Sequence, residues 1–120
     1  PWFHVNENYK EVNVAAQEKD PDSLLNFYRK AIALRKGLKV VRYGSYREHF
    51  PLDGKRYVYS RETETEELLV ICSFSDRPAA ARFPRGFSPD AAELLLCSAK
   101  TPKIQRSLLA TLATVLPSLQ

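Results

Sequence analysis

At 120 residues, with 44% hydrophobic and 27% charged side chains, the chain has room for one domain-sized core and too much apolar content for wholesale disorder. Its net charge is +4, but the basic residues are dispersed among acids from Lys10 to Arg106, in runs no longer than Arg29-Lys30 or Arg35-Lys36. A nucleic-acid interface concentrates such charge on one face, and a membrane span needs about 20 apolar residues, so neither a nucleic-acid nor a membrane partner is expected.

The chain opens on PWFHVNENYKEVNV (residues 1–14), and no methionine occurs anywhere in it. Residues 1–19 read as an irregular polar loop carrying Asn6, Asn8 and Asn13 and two aromatic anchors, Trp2 and Phe3. The next stretch, DPDSLLNFYRKAIALRKG, predicts a helix, with Asp20 as N-cap, Pro21 at the first helical position, Asp22 in the first turn and Gly37 past the end. Lys30, Arg35 and Lys36 suit the negative end of the helix dipole. At about 100° per residue, Leu24, Leu25, Phe27, Tyr28, Ala31, Ile32 and Leu34 cover an arc of roughly 180°, wider than the stripe of an ordinary surface helix. Arg35 falls inside that arc and must snorkel or find a partner. A helix this apolar wants neighbours on more than one side.

After Gly37 the pattern changes to strands. YGSYREHF (43–50), RYVYSRE (56–62), ELLVICSF (67–74), AAARF (79–83) and ELLLCS (93–98) are short and rich in Tyr, Val, Leu and Phe. Turn signals separate them at Pro51-Leu52-Asp53-Gly54, Ser75-Asp76-Arg77-Pro78 and Pro84-Arg85-Gly86. Tyr57 and Tyr59 alternate with Val58 and Ser60, as on a half-exposed strand, whereas LLVI is apolar on both faces and predicts a central one. SPDAAELLL (88–96) and the tail SLLATLATVLPSLQ (107–120) fit either a helix or a strand. The expected fold is mainly β with one α-helix, an antiparallel β-sandwich.

Catalytic chemistry is hard to assemble from these residues. Glu62, Glu64, Glu66 and Glu67 sit in RETETEEL, which reads as a solvated connection between strands rather than as a cation or sugar site. Asp20 and Asp22 are explained as helix-start residues. His4 and His49 lack a closely spaced second ligand, so no metal site is expected. Four glycines (Gly37, Gly44, Gly54, Gly86) build neither a P-loop nor a dinucleotide fingerprint, and no G-x-S-x-G occurs. Catalytic, cofactor-binding and metal residues are accordingly none, and no cofactor is expected. Trp2 with Asn6, Asn8 and Tyr9 could meet a sugar, although an aromatic holding a loop onto a core elsewhere is the commoner use. Cys72 and Cys97 lie in apolar surroundings and read as reduced thiols of a cytoplasmic protein.

The opening and the helix together, PWFHVNENYKEVNV followed by DPDSLLNFYRKAIALRKGLKVVRYGSY, resemble the oligo-1,6-glucosidases and related α-glucosidases of glycoside hydrolase family 13. The match runs through Pro1, Trp2, Val5, Asn6, Asn8, Tyr9, Asn13, Val14, Asp20 to Ser23, Tyr28, Leu34, Arg35 and Lys36, and continues in ELLVICSFSD and ELLLCS. Glu7 replaces the proline usual in V-N-P-N-Y and Val12 the usual isoleucine, and residues 99–120 show nothing like the P-Y-E-A segment of the last strand.

The resemblance implies that residues 1–37 are the last loop and helix of a catalytic (β/α)8 barrel. Residues 38–120 would be the C-terminal all-β domain of an α-amylase-type enzyme. The intact parent would hydrolyse α-glucosidic bonds of oligosaccharides with retention, which needs two carboxyl groups about 5–5.5 Å apart. No residue of this chain matches either catalytic motif, so the chain alone is expected to be inactive, with a stabilising role toward the barrel. Its expected partners are the barrel of the parent chain and, through an unmatched apolar face, a second copy of itself. The alternative is an accessory carbohydrate-binding module using Trp2, Tyr43, Tyr46, Tyr57 and Tyr59.

Overall fold

The computed structural model describes residues 2–75 and 82–98, and the backbone of residues 112–117. Its elements are a 3-10 turn at Glu7–Lys10, helices α1 (Val14–Lys19), α2 (Leu24–Gly37) and α3 (Lys39–Tyr43), and strands β1 (Ser45–His49), β2 (Arg56–Glu62), β3 (Glu66–Ser73), β4 (Glu93–Leu96) and β5 (Leu112–Pro117). A second 3-10 turn, Pro89–Ala91, precedes β4.

The strands form one antiparallel sheet in the order β1-β2-β3-β5-β4. β3 is its middle strand, and Leu68, Leu69, Val70 and Ile71 are all buried, as a segment apolar on both faces requires. Alternate residues of β3 feed two small cores. On one face Val58, Leu69 and Ile71 pack with Phe50, Phe83, Phe87 and Leu94. On the other Val40, Leu68 and Val70 pack with Leu38, Val41, Tyr59, Cys72 and Leu95. Of the helices, α3 is pressed directly on the second face, through Val40 and Val41.

Several expectations need correction. Among the described residues there are three α-helices rather than one. Residues 2–6 are irregular, as expected, but Glu7–Lys10 and Val14–Lys19 are not: Asn13 caps α1, its Oδ1 accepting from the Ala16 N–H at 2.9 Å while its amide donates to the carbonyls of Tyr9 and Lys10. Asp20 does not cap the long helix. Ser23 does, accepting from the Asn26 N–H at 3.3 Å, while Asp20 forms the preceding turn by accepting from the Asp22 N–H. Gly37 is the last helical residue instead of the first beyond it. Residues 88–96 divide into the 3-10 turn and β4, and the tail contains β5. Arg82 and Phe83 are not in a strand, and the remainder of the expected strand 79–83, with Asp76, Arg77 and Pro78 of the preceding turn, lies outside the described residues. Among the described residues the strands make a single sheet and no disulfide; Cys72 and Cys97 are half-buried thiols.

Candidate functional site

The most distinctive surface is built by the first two helices. A polar network ties α1 to the start of α2. The Ser23 hydroxyl donates to the Gln17 carbonyl at 2.6 Å, the Leu25 N–H donates to Gln17 Oε1 at 3.0 Å, and the Asn26 amide donates to the carbonyls of Gln17 at 3.0 Å and Asp20 at 2.7 Å. An exposed ion pair, Arg29 to Glu18 at 2.8 Å, adds little. With its polar side so occupied, the hairpin has two apolar sides left on α2. Phe27, Ala31 and Leu34 are half-buried, and Phe27 and Lys30 line a gap shared with Leu96 and Cys97 at the end of β4.

The other apolar side meets nothing comparable. Leu24, Tyr28 and Ile32, spaced four residues apart along one line of the helix, are 67%, 59% and 50% exposed. Trp2, Phe3, Val5, Tyr9, Val12 and Val14 are exposed as well, with Trp2 stacked on Phe3 at 5.5 Å between ring centres. Arg35, read as needing to snorkel or find a partner, is exposed on the same line as Leu24 and Tyr28. A line of exposed apolar side chains along one helix face, as at Leu24, Tyr28 and Ile32, marks an interaction site.

α3 is joined to the sheet by Arg61. Its Nε donates to the Val40 carbonyl at 3.2 Å and its Nη2 to the Gly44 carbonyl at 2.7 Å, placing a fixed positive charge at the C-terminal end of the helix. The turn between β1 and β2 is locked by a mostly buried pair, Asp53 and Arg56, 2.7 Å apart. The Lys55 N–H and the Arg56 guanidinium hold the Asp53 carboxyl below its ordinary range. In the same turn Phe50 adopts φ +56, unusual for a bulky residue, with the Arg82 guanidinium 4.6 Å above its ring.

A second cluster lies on β1 and β2. Tyr46, Tyr57 and Tyr59 share a sheet face, their rings 5.4–5.6 Å apart, and the hydroxyls of Tyr46 and Tyr57 are hydrogen-bonded at 2.6 Å. That bond, with burial and the nearby Glu48 charge, pushes the Tyr46 phenol up to about 12. Tyr43 is at the end of α3 beneath Arg42 and Trp2 stacks on Phe3, so ring contacts join only three of the expected five aromatics.

The acidic residues of 62–67 surround a tight hairpin in which Thr63 and Glu66 close the turn by backbone bonding at 2.8 Å. Glu62 and Glu67 are directly opposed across β2 and β3; burial, then the Glu62 charge, raises the Glu67 carboxyl. His49 bonds to the Ser60 hydroxyl at 2.9 Å, and burial followed by the Arg47 charge lowers its pKa. Among the described residues no group of three or more His, Cys, Asp or Glu side chains is placed to hold a metal, and no helix is long and apolar enough to cross a membrane. The turn at Pro51-Leu52-Asp53-Gly54 was expected, but its Asp53–Arg56 lock and the Arg61 bridge were not; the Asp-x-x-Arg spacing was the available signal for the lock.

Comparison with known proteins gives the following likenesses. Residues 1–44 match the alpha-amylase family description, "Alpha amylase, catalytic domain". The chain is 40% identical over 96 residues to the oligo-1,6-glucosidase of Parageobacillus thermoglucosidasius, and 38% identical over 96 residues to a probable oligo-1,6-glucosidase 2 of Bacillus subtilis. Each match covers 80% of this chain and 17% of the relative, so the chain spans less than a fifth of the length of those proteins. Among solved structures, the trehalulose synthase of Pseudomonas mesoacidophila superposes with a TM-score of 0.83 at 30% identity, covering 98% of this chain and 22% of that one.

Proposed function

The chain belongs with the alpha-amylase-type enzymes of glycoside hydrolase family 13, and on that premise we propose that it is the closing, non-catalytic portion of a glucosidase-type enzyme. Residues 1–37 complete a catalytic (β/α)8 barrel, and residues 38–120 form a C-terminal β-sandwich domain that holds the last barrel helix in place. The parent acts in the cytoplasm on α-glucosidic bonds of oligosaccharides. The catalytic carboxylates come from the barrel, and this chain contributes none of them.

One observation carries this reading. α2 is apolar on two adjacent sides; Phe27 on one side lies beside Leu96 and Cys97 at the end of β4, while the line Leu24, Tyr28 and Ile32 on the other is left in water. Burying the half to two thirds of these three side chains that is exposed contributes roughly 1–2 kcal/mol each, enough to make docking onto a barrel wall a substantial source of stability. The exposed Trp2, Phe3, Val5, Tyr9 and Val12 extend the same apolar character along the segment that matches the family's catalytic domain. Without the barrel, the same surface drives two copies of the chain together, a state that sedimentation at rising concentration reads directly.

The test is a graft. Replacing the matched segment of the Parageobacillus oligo-1,6-glucosidase by this chain should give an enzyme that turns over p-nitrophenyl α-glucoside, whereas the 120-residue chain alone should give none above a buffer blank. Turnover by the chain alone, or a graft that folds but is inactive or has its grafted segment readily removed by protease, contradicts the proposal.

A further inference from the structure

We propose that Tyr46, Tyr57 and Tyr59 form a weak binding platform for neutral gluco-oligosaccharides on the sheet. Only the choice of glucose-type sugar rests on the reading above; the platform itself rests on geometry. Tyr57 and Tyr59 are two residues apart on β2 and so project to one face, and Tyr46, paired with Arg61 on the neighbouring strand, projects to the same one. The rings touch one another, yet Tyr46 is 51% and Tyr57 38% exposed. Tyr59 packs against the core of that face, Val40, Leu68 and Val70, whereas Tyr46 and Tyr57 are packed and bonded onto it from outside and are not accounted for by that core.

A tyrosine ring offers an apolar face with a polar tip. That matches a pyranose, whose C–H groups present an apolar face edged by hydroxyls. The hydroxyl-to-hydroxyl bond fixes two of the rings before any ligand arrives, so little conformational freedom is lost on binding. Glu48, exposed and paired with Tyr59 across the strands, supplies a carboxylate to accept from sugar hydroxyls. Arg61, the cation sharing this face on β2, is engaged with the Val40 and Gly44 carbonyls. The cluster therefore favours an uncharged polyhydroxylated ligand over an anion.

The test titrates the 120-residue chain with maltotriose and with isomaltotriose while amide shifts are followed by NMR. Saturable shifts confined to residues 45–48 and 57–61 are expected, in the millimolar range. Tyr57→Leu, which keeps apolar bulk for the sheet, should weaken binding at least about tenfold, and Tyr46→Phe, which keeps the ring, by only a few fold. Well-dispersed spectra with no shift there, shifts confined to Trp2–Tyr9, or a Tyr57→Leu variant that binds as well as the parent chain overturn the proposal. A graft that turns over substrate normally alongside any of these results separates this failure from that of the proposed function.

Discussion

Gly44 occupies a position where only a hydrogen will fit. Its φ of −61 suits any residue, so the demand is spatial: a Cβ there would sit 2.5 Å from the Val40 carbonyl oxygen and 3.0 Å from the Glu62 nitrogen, both backbone atoms that cannot swing aside. Gly44→Ala should therefore push α3 off the sheet and cost at least about 2–3 kcal/mol, read as a shift of the urea midpoint. Asp53 is a different case, fixed by charge. Its folded carboxyl titrates below the ordinary value of 3.8, chiefly because it accepts from the Lys55 N–H. A depressed acid stabilises the fold above its unfolded pKa, and that contribution is lost as pH falls through the folded value. Asp53→Asn should remove this share of the acid dependence, so the gap in stability between the parent chain and the variant should narrow as pH is lowered below 3.8. A constant gap down to acid pH would mean that the carboxylate charge is irrelevant. Neither device is visible in sequence beyond a glycine and an Asp-x-x-Arg spacing, because each depends on atoms from another element or on a turn conformation.

At the scale of elements, the strands were the legible part. RYVYSRE is β2 from end to end, and LLVI is the middle of the central strand, because alternation and a doubly apolar run are direct imprints of a sheet's two faces. Helix boundaries were less legible for identifiable reasons. DPDS offers three residues of capping type, Asp20, Asp22 and Ser23, and the one used is Ser23, whose hydroxyl also reaches the Gln17 carbonyl of α1, a contact sequence spacing cannot announce. α1 is only six residues long and α3 five; both are held by tertiary bonds, and Val40 and Val41 carry a strand-like preference that burial against Leu68 and Val70 overrides. Ser23→Ala should cost roughly 1–2 kcal/mol, since it removes the cap of α2 and leaves the link to α1 unmade. Ser23→Asp should restore the cap alone and recover part of the loss. Equal stability of all three proteins in thermal unfolding would show that the α1–α2 link carries no weight.

Taken whole, the molecule is a sheet with two modest cores and an N-terminal helical hairpin whose second apolar side is uncovered. Among the described residues only Val40, Val58, Leu68, Leu69, Val70 and Ile71 make up the buried apolar core, while fourteen large hydrophobics are exposed. That imbalance was legible in the sequence as a helix with an apolar arc too wide for a surface position; which part of the arc the sheet would cover was not, because the answer depends on how α2 crosses β4. The most direct measurement is made on the graft into the Parageobacillus enzyme, comparing Leu24→Glu/Ile32→Glu with Ala33→Glu, which places one such carboxylate on the opposite side of α2. If the uncovered side docks on a barrel, the double variant loses at least about 3 kcal/mol of stability, with turnover falling alongside it, while Ala33→Glu stays near the unmodified graft. If all three grafts unfold at the same temperature and turn over equally, the line Leu24, Tyr28 and Ile32 faces water in the full enzyme too, and the docking account fails.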